Sequence, residues 1–163
     1  VAAIQPLVDS PDGRRVREAV AALLRFDDSV ALRPIETALR AGARDARQSV
    51  LDALVASQDR RSATLLASVL RTTRPVGEDH RFALQLLAAL RRIGDEHAVP
   101  AIAQAMRTFS WTRIGQTAGL KRAGVGALSA MPNPEAREAL ERAARDGDLL
   151  LRRYAKRALH ARN

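Results

Sequence analysis

Gly115, Gly119, Gly124 and Gly126 crowd into one stretch that reads as a helix, from about Ile114 to Met131. At 3.6 residues per turn, Gly115, Gly119 and Gly126 share a face with Arg122. Bare backbone beside guanidinium groups admits an extended chain or a carboxylate, which arginine holds through a two-pronged hydrogen-bonded pair. An interior glycine costs about 1 kcal/mol relative to alanine, so four in one helix need a reason. The competing reason is close helix packing, or an irregular helix with solvated arginines. Trp111 and Phe109, bracketed by Arg107 and Arg113, form a second candidate. An exposed aromatic beside arginine suits a protein hot spot or base stacking, whereas a buried one plugs the edge of a core. A third candidate is the basic run Arg153, Lys156 and Arg157 near the C-terminus, either a site for an anionic partner or the polar cap that a terminal repeat needs for solubility.

Residues that catalyse or bind metal are harder to find. His80, His97 and His160 are scattered without metal-ligand spacing, and there is no cysteine, which excludes disulfides and thiolate metal sites. No phosphate-binding loop, dinucleotide fingerprint or nucleophile constellation is present. The expectation is a chain without catalytic residues, metal or cofactor.

The elements that must position these groups follow from a repeated phrase. Leu87–Arg107, LAALRRIGDEHAVPAIAQAMR, recurs as Val20–Arg40, Leu51–Arg71 and Val125–Arg145, and its opening returns at Lys156. Successive copies start 31, 36, 38 and 31 residues apart. The fourth column is Leu23, Leu54, Leu90 and Leu128, with Leu159 in the partial copy; the first is Val20, Leu51, Leu87 and Val125. Three residues apart on a helix, these columns make one buried stripe. The ninth column, Asp28, Asp59, Asp95 and Asn133, supplies helix N-caps, and Ile35, Leu66, Ile102 and Leu140 anchor the helix that follows. Each phrase ends in arginine, favourable in a last helical turn. Such a period predicts stacked helical hairpins, each burying its apolar face only against its neighbours.

Residues 2–8 read as the second half of a broken repeat, closed by the turn cluster at residues 9–13. Paired helices are expected at 14–26 and 29–41, 45–57 and 60–71, 79–93 and its partner to Thr108, and 114–131 followed by a helix from Pro134; a last helix spans 149–162. Two longer connections, residues 72–79 and 109–113, both follow the second helix of a phrase, so they emerge on one edge of the stack, where insertions often form a binding rim.

Leu90, Ile93, Gly94, Asp95, Ala98, Val99, Pro100, Ala101 and Ile102 make the chain similar to the HEAT-like repeats, in the bacterial variety first noted in phycobilin lyases. The resemblance covers nearly the whole chain and implies an all-α fold, a right-handed α-solenoid of four to five hairpins in one domain. It also implies that the first helix of each phrase lines a concave side. Gly119 and Gly126 would then floor a trough flanked by Arg81, Arg122, Arg153 and Arg157. In this family a basic residue early in the first helix often binds turn carboxylates of the neighbouring repeat; Arg47, Lys121 and Arg152 hold that place. Some helical-repeat relatives are hydroxylases with paired His-Glu metal motifs, but here Glu96-His97 stand in reverse order at a turn. The alkylpurine DNA glycosylases are a second such class; Trp111 and the arginines echo them faintly, without an aspartate among them. The lyase resemblance resides in the repeat and carries no activity.

The chain has 163 residues and a net charge of +9. Of its 27 basic residues only Lys121 and Lys156 are lysine. Arginine with abundant alanine is what a GC-rich coding bias produces, so the surplus of charge is more telling than arginine frequency. The surplus grows along the chain: seven basic against six acidic groups in residues 1–44, ten against seven in 45–119, ten against five in 120–163. No apolar run approaches the roughly 18 residues that span a bilayer and no signal-peptide pattern is present, which suits a cytoplasmic setting. The start at Val1, partway through a repeat, suggests a domain excised from a larger bacterial protein. The expectation is a non-catalytic module for protein–protein recognition or scaffolding. It would bind an acidic or amphipathic segment through Arg81, Arg122, Gly119, Gly126 and the edge with Trp111 and Arg113. The alternative is a nucleic-acid or polyanion binder using the basic C-terminal half, with Arg153, Lys156 and Arg157. A glycosylase-like repair enzyme comes third.

Overall fold

The computed structural model describes residues 8, 10, 12–26 and 29–161, and among these residues every regular element is helical. The half-repeat expected at residues 2–8 lies outside them apart from Val8, as do Asp28, the expected cap of the second helix, and Arg162. The chain forms two compact units, Val1–Leu65 and Leu66–Asn163.

In the first unit, α1 (Gly13–Leu24) is capped by Asp12, whose carboxylate accepts the Arg14 N–H at 2.9 Å, and buries Val16, Ala19, Val20 and Leu23. α2 (Ser29–Ala41) ends at Gly42, where a Cβ would collide with the Ala38 carbonyl. α3 (Arg44–Ser57) ends on Gln58, a non-glycine residue at φ 50°, whose side-chain amide donates to the Val55 carbonyl at 2.8 Å. Each of these helices packs against the other two. α4 (Arg60–Thr72), capped by Asp59, spans the boundary between the units.

In the second unit, α5 (His80–Ile93) is terminated by Gly94 at φ +72°, a left-handed position that suits glycine. Asp95 then accepts the His97 N–H at 2.8 Å and caps a short 3₁₀ turn, Glu96–Ala98. α6 (Val99–Met106), with Pro100 in its first turn, is shorter at both ends than the phrase predicts. The cap nucleates 3₁₀ rather than α geometry, and the helix stops at Met106. After a 3₁₀ turn at Trp111–Arg113 come α7 (Ile114–Ala130), α8 (Pro134–Asp146) and α9 (Leu149–His160). α7 ends one residue early because Met131, preceding Pro132, is extended. α7 packs against α5, α6, α8 and α9, while α8 packs against α6 and α9.

The repeat columns form the core. Leu23, Leu54, Leu90 and Leu128 are fully buried, as are Ile35, Leu66, Ile102 and Leu140; Leu159 is half-buried. Three basic side chains close the C-terminal carbonyls of earlier helices. Arg47 Nη2 donates to Arg40 O at 3.2 Å, Arg61 Nη1 to Leu24 O at 2.7 Å and Phe26 O at 3.0 Å, and Lys121 Nζ to Met106 O at 3.1 Å.

Candidate partner-binding surface

The four glycines of α7 divide by face. A Cβ on Gly124 would collide with Met106 Cγ and lie 2.8 Å from its Sδ, so this glycine exists to let α6 and α7 approach. Gly115 and Gly126 have nothing within 4 Å of where a Cβ would stand, and at Gly119 the nearest atom is His80 Nε2 at 3.7 Å. These three lie with exposed Arg122 on the outer strip of the helix. Close packing therefore explains one glycine and leaves three to a bare strip of backbone.

Arg81 on α5 and Arg153 and Arg157 on α9 are exposed, on the two helices that pack against α7. Arg81, Arg113, Arg122, Arg153, Lys156 and Arg157 make no ion pair with any described residue. Elsewhere basic groups do find carboxylates, as in Arg14–Glu18 at 3.2 Å, Arg40–Glu36 at 2.8 Å and Arg137–Glu141 at 3.0 Å.

The two insertions meet at the start of α7. Gly77, at φ +107°, donates its N–H to Gln116 Oε1 at 2.9 Å, and the His80 ring nitrogen Nδ1 bonds the Pro75 carbonyl at 3.0 Å. From the other insertion, the Ser110 N–H donates to the buried Thr117 hydroxyl at 3.3 Å. This tethering turns Trp111 outward. Its side chain is 81% exposed and stands edge-to-face on half-exposed Phe109, ring centroids 4.9 Å apart. The plug role considered for this pair is thereby overturned: neither ring covers the core. Ile114, 59% exposed, is a further exposed apolar side chain close in sequence, with exposed Arg113 between it and Trp111. Ile114 and Gln116 were not singled out from sequence. Their signal was position, in the first turn after a long insertion.

Of the three basic residues aligned early in their helices, Lys121 meets a turn carboxylate. Its side chain is 1% exposed and its ammonium bonds Asp148 Oδ2 in the α8–α9 turn. Asp148 also caps α9, accepting the Leu151 N–H at 2.9 Å. Partial burial pushes the Asp148 carboxyl upward, but the hydrogen bond from Lys121, the Leu151 and Leu150 N–H groups and the attraction of the ammonium outweigh it and hold the pKa below its ordinary value. Arg152 is half-buried with no carboxylate within 4.0 Å among the described residues. His97 pairs with Asp95 at 2.7 Å, and among the described residues no cluster of His, Asp and Glu has the makings of a metal site. No described helix is long and apolar enough to cross a membrane. No protein-family model and no curated protein sequence matches this chain.

Proposed function

We propose that the chain is a segment of a HEAT-like α-solenoid and serves as a non-catalytic module that binds an acidic, amphipathic segment of a partner protein. The observation that carries this reading is Trp111, 81% exposed on Phe109 and tethered next to a strip of bare helix backbone. Rigid aromatic anchors rimmed by arginine are where interface energy concentrates. Arg81, Arg113 and Arg122, exposed and without an ion pair to any described residue, supply the charge that an acidic segment complements. In a solenoid the α5, α7 and α9 faces line the concave side, so Gly119 and Gly126 floor the trough. The test is selection from a displayed random-peptide library. Enrichment of sequences combining acidic and large apolar residues, lost with Trp111→Ala and with Arg81→Glu/Arg122→Glu, supports the reading. Enrichment indifferent to both variants sinks it.

A second reading, polyanion binding, is favoured by Arg153, Lys156 and Arg157, which lie exposed on α9 without an ion pair to any described residue. Anisotropy of a labelled duplex and a labelled single strand, titrated at two salt concentrations, separates the readings. Phosphate contacts make affinity fall steeply with salt, and Arg153→Glu/Arg157→Glu removes them. Absence of binding at low salt removes this alternative.

A further inference from the structure

A cleft of about 450 Å³ opens among α6, α7, α8 and the α8–α9 turn, within the few-hundred-Å³ range of small-ligand sites. Its walls are apolar where Met106, Ala139, Ala143 and Leu151 line it, and the ammonium of Lys121 is set into one side. Arg107, at the end of α6, and Arg142, on α8, line the same cleft. We infer that this cleft binds a small carboxylate with a short apolar body, the body against the alanines and Leu151, the carboxylate held by Arg107 and Arg142.

The choice of sign comes from which polar groups are already engaged. The Met106 carbonyl is taken by Lys121 and the Ala143 carbonyl by the Gly147 N–H at 3.2 Å. Asp148 is occupied on one oxygen by Lys121 and on the other by the Leu151 N–H. Asp146, the other carboxylate of the lining, has Arg145 at 3.9 Å. On the donor side, Arg107 makes no ion pair with a described residue, and Arg142 has only exposed Glu138, at 3.8 Å. Lys121 has three hydrogens and two acceptors, leaving one N–H uncommitted beside the cleft. Three cations face two anions, and the donors of Arg107, Arg142 and Lys121 outnumber what Asp146, the one lining carboxylate without a hydrogen bond among the described residues, can take up. A planar carboxylate matches the guanidinium geometry. A cationic ligand would be repelled by the guanidiniums of Arg107 and Arg142 instead.

The experiment is an NMR titration of the isotope-labelled chain with hexanoate, with hexanol and hexylammonium as neutral and charge-reversed controls. Hexanoate is expected to shift the amide signals of Ala139, Ala143 and Gly147 saturably, and to bind at least about tenfold more tightly than either control, the factor that about 1.4 kcal/mol confers. Arg107→Gln/Arg142→Gln should abolish the difference without changing the overall spectrum. Both are surface groups, so this variant folds even if Lys121→Met does not. A peptide with an apolar C-terminal residue, tested as free acid and as amide, distinguishes sources: tighter binding of the peptide acid points to a partner's C-terminus, tighter binding of hexanoate to a free metabolite. Equal response to hexanoate and hexanol, or an unchanged response in the double variant, overturns the inference.

Discussion

Lys121 and Asp148, 27 residues apart, form an ion pair whose two halves live in different solvents: the lysine is 1% exposed and the aspartate 43%. The ammonium is almost shut off from bulk water, whereas the carboxylate is well exposed to it. The pair joins α7 to the cap of α9, and Lys121 reaches the end of α6 as well.

Substitutions of the two partners should therefore be unequal. Asp148→Ser keeps a capping oxygen but strands a buried ammonium, and should cost about 3 kcal/mol, the low end for breaking a buried pair. Lys121→Met leaves only a hydratable carboxylate and a freed Met106 carbonyl, and should cost about 1 kcal/mol. Urea denaturation of the two variants and of Lys121→Met/Asp148→Ser checks this. The double variant should be more stable than Asp148→Ser alone.

The depressed pKa of Asp148 sets the direction of a pH effect. Because the folded state favours the ionised form, the pair's contribution is complete above the unfolded pKa of about 3.9 and disappears as pH falls through the lower folded value. The stability difference between the natural chain and Asp148→Asn should be flat from about pH 5 to 7 and shrink below about pH 4. Urea midpoints across that range measure it.

The division of the glycines predicts opposite signs for one substitution. Gly126→Ala adds a methyl to open space and should stabilise by about 0.5–1 kcal/mol. Gly124→Ala drives a methyl into buried Met106 and should destabilise by about 1–2 kcal/mol. Thermal unfolding distinguishes them, and Gly126→Ala should also weaken any ligand seated on the strip.

Trp111 is the only tryptophan, so its emission reports its surroundings directly. It should emit as a solvent-exposed indole and shift to shorter wavelength when a partner covers it. Trp111→Ala should change stability by less than about 1 kcal/mol, since the side chain is 81% exposed and gives up little beyond its edge-to-face contact with Phe109.

The helices were legible because the repeat keeps core, cap and anchor columns in step, and each column reflects a local rule. Asp59, Asp95 and Asn133 cap as their spacing implies, and Lys121 finds a turn carboxylate. The outer strip of α7 was legible as well, since 3.6-residue periodicity separates Gly124 from Gly115, Gly119 and Gly126. The orientation of Trp111 was not. It depends on a 3₁₀ turn and on tethers such as Ser110 N–H to Thr117, which no periodicity encodes. The cleft beside Lys121 was hidden for a related reason: it is assembled from the ends of helices far apart in the chain.

Arg47, Arg61 and Lys121 each complete the C-terminus of a helix that precedes them in the chain. A chain emerging from the N-terminus thus carries α1, α2 and α6 with unfinished ends until the later helix docks. Hydrogen exchange should report this as shared protection: the terminal amides of α1 should open together with α4, and those of α6 with α7, rather than fraying independently. Folding order is in this sense written from back to front at α1, α2 and α6, each sealed by a helix that comes after it.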